Sequence, residues 1–281
     1  MRPSLFVDAT TAARIERAEA DLIAGASRAT GSRFGAVSFQ LPLRGGYATF
    51  AGPDSPYNKV VGVGFDGVPD ESELAEVERR YAQHAAPVSF EVSTLADRAL
   101  LAVLHRRGYQ LISFEDVLVC DLSRPTLRPP AGVTILREND AGSDGTRTWL
   151  DVVVEAALTP DTEGLAQHEE FSRTVLEQAE LAGLDAGVRR YLATVDGTPA
   201  GGAGIRFVDG IAQLAGAGTV PAFRRRGVQT ALVAARLDDA RAAGCDLAVV
   251  TTQPGSPSHA NTQRSGFEIG YTRAVLVKET R

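Results

Sequence analysis

The stretch Val220-Pro-Ala-Phe-Arg-Arg-Arg-Gly-Val-Gln-Thr-Ala-Leu232 decides how this sequence is interpreted. Neighbouring arginines repel one another, so such a cluster needs either an anionic partner or an open solvent face. A strand-like run that starts at Ile211 precedes the cluster, and an apolar helical run follows Gly227. The stretch is therefore predicted to be a strand-to-helix turn with a basic entrance.

A turn of this kind has the chemistry of a pyrophosphate-binding site. The first turn of a helix leaves N–H groups unpaired, and the helix dipole adds partial positive charge there. A glycine lets a phosphate approach the backbone, and arginines supply charge-assisted hydrogen bonds to its oxygens. The alternatives are a solvated helix entrance or salt bridges from the arginines to acidic residues elsewhere in the chain.

Composition limits the classes of partner. The chain has 281 residues, with 29 basic and 35 acidic side chains and a net charge of −6. This balance argues against generic binding to nucleic acid or to an anionic membrane. Cys120 and Cys245 lie far apart in no metal or redox spacing, and the first residues resemble neither a signal peptide nor a membrane span. We expect a cytoplasmic protein of two domains.

The domain boundary is predicted at residues 123–132, where three prolines and a glycine cannot continue a helix or an inner strand. This linker separates a domain at 1–122 from a domain at 133–281. In the second domain, Asp196-Gly197 and Asp209-Gly210 predict tight hairpin turns in a three-stranded meander. The remaining predicted elements of that domain are a strand at 133–136, helices at about 143–158 and 166–182, a helix that ends before Gly244, a strand at 246–252, a short helix that ends at Gly266, and a strand from Phe267 to Val277.

The N-terminal part repeats this order of elements. When the sequence is shifted so that Gly108 meets Gly266, identical residues meet along the ends of both halves. The residues of the first half that meet an identity are Val92, Thr94, Ala102, Arg106, Gly108, Val117, Leu118 and Val119. A duplicated fold is the interpretation that this pattern favours.

The first copy supplies an internal comparison for the basic turn. Where the second copy has Arg224, Arg225 and Arg226, the first has the acidic run Asp70-Glu-Ser-Glu73. Carboxylates cap a helix N-terminus well, but they repel a phosphate. We therefore expect at most one of the two copies to bind a polyanion here.

The pattern Arg224-x-x-Gly227-x-Gln229, together with the closing Gly266-Phe267, resembles the acyl-CoA signature of the GNAT superfamily of N-acyltransferases. The resemblance covers about 132–281 well and the first half weakly, as a degenerate copy. It implies an α/β (α+β type) fold of two tandem domains, each with a mixed, mostly antiparallel sheet flanked by helices. It also implies transfer of an acetyl or other acyl group from acetyl-CoA to a small-molecule amine, without a metal.

The resemblance also implies which residues bind the cosubstrate. The backbone from Arg225 to Thr230 would bind the pyrophosphate, with Arg224 and its neighbours assisting. Thr219 and Val220 would bind the pantetheine arm, and the Val220 amide would face the thioester carbonyl. The full predicted set is Thr219, Val220, Arg224, Arg225, Arg226, Gly227, Val228, Gln229, Thr230, Ser256 and Asn261.

The sequence departs from the family in its catalytic groups. Thr262 stands where the family has a tyrosine that protonates the thiolate, and the strand from Gln213 lacks the glutamate often used as a base. Gln229 replaces a usual glycine or alanine. The remaining candidates for catalysis are Ser258, Asn261 and Tyr271.

Several residues near the predicted site also fit a purely structural role. Ser256 suits a helix N-cap, and an aromatic such as Tyr271 is typical of a strand core. His168, Glu169 and Glu170 lie on a predicted helix that could border an acceptor pocket around Trp149 and Phe171, but a charged helix face is usually only solvated. No zinc spacing is present. A non-catalytic acyl-CoA-binding module and a nucleic-acid-binding protein remain the other functional classes.

Overall fold

The computed structural model describes residues 5–124, 128–137, 144–160 and 171–280. These residues form two compact units, Met1–Val117 with Ile269–Arg281, and Leu118–Glu268. The first unit thus contains the last stretch of the chain, whereas the sequence predicts that stretch as part of the second domain.

The helices and strands are defined as follows. The helices are α1 (Ala9–Phe34), α2 (Glu71–Ala82), α3 (Arg98–Arg106), α4 (Asp144–Leu158), α5 (Arg173–Asp185), α6 (Val228–Ala242) and α7 (Pro257–Arg264). The strands are β1 (Ser38–Leu43), β2 (Gly46–Ala51), β3 (Lys59–Val61), β4 (Val88–Ser93), β5 (Gln110–Asp121), β6 (Val133–Arg137), β7 (Arg189–Val195), β8 (Thr198–Val208), β9 (Ile211–Thr219), β10 (Leu247–Thr252) and β11 (Glu268–Lys278).

The first unit has the strand order β1-β2-β3-β4-β11-β5. The pairs β1–β2, β2–β3 and β4–β11 are antiparallel, and β3–β4 is parallel. Its core contains Phe90 and Tyr109, whose rings meet edge to face at 5.2 Å, with Leu74, Val77 and Leu104 around them. The unit is a mixed, mostly antiparallel sheet, as predicted.

Strand β11 is fixed in the first unit by buried charges. Its register pairs Val275 with Glu91. Arg273, 1% exposed, bonds through Nε to Oε1 of Glu16 at 2.7 Å and lies 3.5 Å from Oε2 of Glu91. Because an unpaired buried charge is costly, these partners hold β11 beside β4. The predicted boundary therefore differs from the observed units at the last strand.

The second unit has the strand order β10-β9-β8-β7-β6, and the end of β5 neighbours β10. The pairs β6–β7, β7–β8 and β8–β9 are antiparallel, whereas β9–β10 is parallel. Both predicted hairpin turns are confirmed, since Asp196 and Gly197 have φ of 52° and 77°, and Asp209 and Gly210 have φ of 46° and 74°. Positive φ at both central residues is typical of the turns that match strand twist.

The predicted duplication is visible in the order of elements. The series β1, β2, β3, α2, β4, α3, β5 corresponds to β7, β8, β9, α6, β10, α7, β11. In each series the third and fourth strands form the parallel pair. The predicted architecture of two tandem α/β domains is confirmed.

Helix α4 packs closely on β8 and β9 because small residues leave room for it. A Cβ added at Gly202 would lie 2.5 Å from Val153, and one at Gly218 would lie 2.3 Å from Ala156. The buried Trp149 donates from Nε1 to the Ala203 carbonyl at 3.2 Å. Helix α5 packs on α4 and begins at Arg173, later than predicted. Within the described residues, no helix combines the length and the apolar character needed to cross a bilayer.

The location of β11 can be tested with a double-mutant cycle. We expect Arg273→Met to lower the free energy of unfolding by about 3–5 kcal/mol, because it leaves Glu16 buried without its cation. Adding Glu16→Gln should recover part of this loss, which urea denaturation at neutral pH would measure. Strictly additive effects of the two changes would show that β11 does not lie against α1.

Candidate functional site

The central feature of the second unit is the point where β9 and β10 stop pairing. Their parallel register runs from Leu247↔Ile211 to Val249↔Gln213. Strand β9 continues beyond Gln213 to Thr219, paired with β8. One edge of this continuation has no strand partner in the register, so its N–H and C=O groups can bind an extended ligand as an added strand would.

A cavity of about 170 Å³ lies at this opening. It is smaller than the pockets that enclose whole drug-sized molecules, so it suits the narrow arm of an elongated ligand. Its lining comes from β9, α6, β10, α7 and Phe267, which follows α7, all within the second unit. The lining residues are Leu214, Ala215, Gly216, Ala217, Gln229, Val233, Arg236, Val250, Thr251, Ser258, Thr262 and Phe267.

The basic turn leads from β9 into α6 with an unusual backbone. Arg225 has φ of 62° and Gly227 has φ of 80°, both in the left-handed region. Non-glycine residues rarely adopt this conformation, which costs about 1–2 kcal/mol at Arg225. Gly227 is the N-cap of α6, and no side chain caps the helix. The first-turn amides of α6 are therefore open to an anion.

The corresponding helix of the first unit, α2, is capped by its own acids. The Asp70 carboxylate accepts from the amides of Ser72 and Glu73, both at 2.9 Å, and Glu73 accepts from the Asp70 amide at 2.8 Å. This reciprocal capping box lowers the pKa of Asp70, chiefly through its hydrogen bonds with Ser72 and Glu73. The predicted difference between the two helix starts is present in the structure.

The three arginines have different surroundings. Arg224 is partly buried and donates from Nε to the Thr219 carbonyl at 3.3 Å and from Nη2 to the Thr159 carbonyl. Its guanidinium therefore binds the protein's own backbone. Arg225 and Arg226 are exposed, and Arg226 lies over the Phe223 ring at 5.3 Å. Of the three arginines, Arg225 and Arg226 are the ones at the surface.

The prediction that the Val220 amide faces a thioester needs correction. In the structure this amide donates to the Ala200 carbonyl at 3.1 Å, so it already has a partner. The cavity is lined by residues 214–217 of β9, upstream of Thr219 and Val220. A carbonyl in the cavity would therefore meet the middle of β9 rather than its end.

Helix α7 and its N-cap bring one of the predicted residues, Ser258, to the cavity wall and leave two, Ser256 and Asn261, aside. Ser258 and Thr262 line the cavity. The Ser256 hydroxyl caps α7 by accepting from the His259 amide at 3.1 Å, in agreement with the alternative structural role. Asn261 accepts from Arg264 through Oδ1 and is not part of the lining.

The structure does not bring Tyr271 to the cavity. This tyrosine is 5% exposed in the first unit, where its hydroxyl donates to Oε1 of Glu16 at 2.6 Å. Burial raises the pKa of Tyr271 well above its ordinary value. It is a core residue of β11, which agrees with the strand-core role that the sequence also allows for it. His168, Glu169 and Glu170 lie outside the described residues.

Two charged residues near the cavity were missed. Arg236 of α6 is 2% exposed, lines the cavity, and donates to the carbonyls of Leu232 and Gly204, both at 3.1 Å. Burial lowers the pKa of Arg236 to about 10. The signal was available, since Arg236 is four positions after Leu232 and three after Val233 on the apolar face of the helix.

The second missed residue is Glu180 of α5. It follows Leu176 and precedes Leu184 by four positions each, so it too lies on an apolar helix face. Its carboxylate lies against Gly216 of β9. Burial alone raises the pKa of Glu180 to about 7. A carboxyl group in that range exchanges protons at neutral pH.

Part of the second unit matches a known protein family. The model of the "Acetyltransferase (GNAT) family" matches residues 152–267. None of the curated proteins compared by sequence matches the chain. Among solved structures, the chain is similar to a GCN5-related N-acetyltransferase from Kribbella flavida, with 20% identity and a TM-score of 0.63 over 90% of this chain and 95% of that one.

Two further structures have a similar fold. A GCN5-related N-acetyltransferase from Sphaerobacter thermophilus is 17% identical with a TM-score of 0.55, and the match covers 94% of this chain and 92% of that one. A tandem GNAT protein from the clavulanic acid biosynthesis pathway is 15% identical with a TM-score of 0.61, covering 98% and 97%. These matches confirm the predicted fold and its tandem layout.

The different roles of two serines of α7 can be tested by substitution. We expect Ser256→Ala to lower the free energy of unfolding by about 1 kcal/mol, because the helix loses its N-cap. Ser258→Ala is the matched control and should leave stability unchanged, since Ser258 is exposed. Chemical denaturation measures both. Equal destabilisation by the two changes would contradict the assignment of the cap.

Proposed function

We propose that the protein transfers an acetyl or related acyl group from its coenzyme A thioester to the amine of a small molecule, because residues 152–267 match the model of the acetyltransferase (GNAT) family. The observation that carries the proposal is the position of the cavity, where β9 and β10 part beside the uncapped start of α6. The cytoplasmic location expected from the sequence stays part of the proposal.

The turn before α6 would bind the pyrophosphate of the coenzyme. The amides of Val228, Gln229 and Thr230 begin the helix without a side-chain cap, and Arg225 and Arg226 add exposed positive charge. Helix N-termini bind phosphates through such N–H groups and the helix dipole. Arg224 would instead fix the turn by bonding the carbonyls of Thr159 and Thr219.

The pantetheine arm would follow the free edge of β9 toward the cavity. Its amide groups can pair with the backbone there, as an added strand does. The thioester would then lie near Gly216 and Ala217, which are exposed although Leu214 before them is buried. Backbone N–H groups of that segment would stabilise the developing oxyanion.

A non-catalytic acyl-CoA-binding module is the second candidate function. It is favoured by Thr262, which lines the cavity at the position where the family has a tyrosine. A threonine hydroxyl is a weak acid, so it can only relay a proton to the thiolate. Acetyl-CoA incubated with a panel of amino acids, polyamines and amino sugars separates the two functions through the release of free thiol. Amine-dependent release supports the enzyme, and binding without release supports the module.

Binding at the start of α6 can be tested with two glycines of positive φ. A Cβ at Gly227, with φ of 80°, would lie 2.6 Å from Cγ of Pro130, so Gly227→Ala must displace the turn. We expect it to raise the Kd for coenzyme A at least about tenfold, or about 1.4 kcal/mol. Isothermal titration calorimetry measures the affinity.

The matched control is Gly244→Ala at the other end of α6. Gly244 has φ of 76°, and a Cβ there would contact nothing within 4 Å. The change therefore imposes the same backbone cost without disturbing the basic turn. If both variants weaken coenzyme A binding equally, the effect comes from general destabilisation of α6 and the proposed site is wrong.

A further inference from the structure

The carboxylate of Glu180 occupies a place that only a glycine at position 216 permits. A Cβ added at Gly216 would lie 2.8 Å from Oε1 and 3.3 Å from Oε2 of Glu180. The side chain therefore reaches from α5 to the backbone of β9 and ends at a residue that lines the cavity. Helix α5, which packs on α4, thus places a carboxylate where β9 and β10 separate.

Gly216 is the extra residue of a β-bulge. The register between β8 and β9 shifts from Ala203↔Ala217 to Gly204↔Ala215, so Gly216 has no opposite residue. Its φ is 25°, and it is exposed together with Ala217. Bulges interrupt strand pairing and redirect backbone groups, and they are frequent next to active sites.

The Glu180 carboxylate has no counter-charge among the described residues, although every helix around it carries charges. The charged groups of α4 and α5 pair with one another, as Arg147 with Asp151 and Arg173 with Glu155 and Glu177. Arg236 of α6, on the cavity wall, is bonded to backbone carbonyls. Burial is the cause of the raised pKa of Glu180.

We propose that Glu180 is the general base of the acyl transfer, an assignment that rests on the proposed function. A base must lie within hydrogen-bond reach of the attacking nitrogen, on the side of the thioester that the amine approaches. Glu180 meets β9 at the segment where the acyl group would lie, so an amine bound between the carboxylate and the carbonyl carbon is placed for attack. The same carboxylate gives a cationic acceptor its electrostatic partner.

The reaction balances with this one group. Glu180 takes one proton from the bound ammonium, and after the neutral amine has attacked the carbonyl carbon, the excess proton on nitrogen passes to water. The C–N bond forms, the C–S bond breaks with its electron pair going to sulfur, and the coenzyme leaves as a thiolate. The thiolate takes its proton from water, for which Ser258 and Thr262 offer hydroxyl groups on the cavity wall. Glu180 then returns its proton to solvent.

The test compares Glu180→Gln with Glu177→Gln, a carboxylate on the same helix that pairs with Arg173. The probe is acetyl-CoA with the best amine of the panel described above. We expect Glu180→Gln to lower kcat about 10²–10⁴-fold, the usual contribution of a general base. Its Kd for coenzyme A should stay within twofold of the wild type. Glu177→Gln should keep kcat.

The pH dependence distinguishes a base from a packing residue. Only the ionised carboxylate accepts a proton, so wild-type kcat should rise with pH through about 7 and level off above it. The Glu180→Gln variant should lose this limb. Since a raised carboxyl pKa means that ionisation opposes folding, the variant should also melt at a higher temperature than the wild type at pH 8, which shows that it folds.

The outcomes separate the two proposals. Wild-type turnover together with an unchanged rate and pH profile in Glu180→Gln overturns the base and leaves the acyltransferase standing. Failure of the wild type to bind coenzyme A or to release thiol overturns the acyltransferase and the base with it. Carbon-13 NMR of the glutamate carboxyls gives a readout without any acceptor. A resonance that is absent from Glu180→Gln and titrates below pH 5 in the wild type also contradicts the assignment.

Discussion

The binding site depends on a difference between two equivalent helices, α2 and α6. They differ in what hydrogen-bonds the N–H groups of their first turn. Every α-helix begins with N–H groups that have no partner within the helix. In α2 the carboxylates of Asp70 and Glu73 supply partners from the chain itself. In α6 no side chain does so, and exposed arginines stand before it. The fold is duplicated, but only the second copy leaves this position open for a polyanion.

The cavity follows from the same strand-to-helix unit. Because β9 and β10 are parallel for only a short register, the edge of β9 beyond Gln213 is free, and α6 starts directly after that strand. The bulge at Gly216 then brings Glu180 to the free edge. The basic turn before α6, the free edge of β9 and the Glu180 carboxyl thus follow one another along β9. This order suits an elongated thioester with an amine bound at its acyl end.

Local chemistry made much of this predictable from the sequence. The Asp-Gly dipeptides specified the hairpin turns, Gly244 specified the end of α6, and Ser256 specified the start of α7. Each of these residues fixes the conformation or the hydrogen bonds of the backbone next to it. The position of the last strand within the sheet was not predictable. Both copies end with the triplet Val-Leu-Val, at 117–119 and 275–277, so either strand could pair beside β4 until the buried partners of Arg273 were known.

Long-range placement also explains the missed site residues. Glu180 and Arg236 look like ordinary charged helix residues, and only their spacing from leucines hinted at burial. Asn261 was a candidate because the resemblance places residues of its helix beside the coenzyme, and Tyr271 because it opens the strand that follows. In the structure, the Tyr271 hydroxyl bonds Glu16 in the first unit. The Val220 amide was assigned to a ligand although the neighbouring strand β8 supplies its acceptor, the Ala200 carbonyl.

The most direct measurement is a crystal structure of the protein with coenzyme A bound. The account predicts one coenzyme per chain, with its diphosphate on the amides of Val228, Gln229 and Thr230 and its thiol beside Gly216. A diphosphate at the start of α2, among Asp70 and its neighbours, or a coenzyme bound away from the parting of β9 and β10, would contradict it.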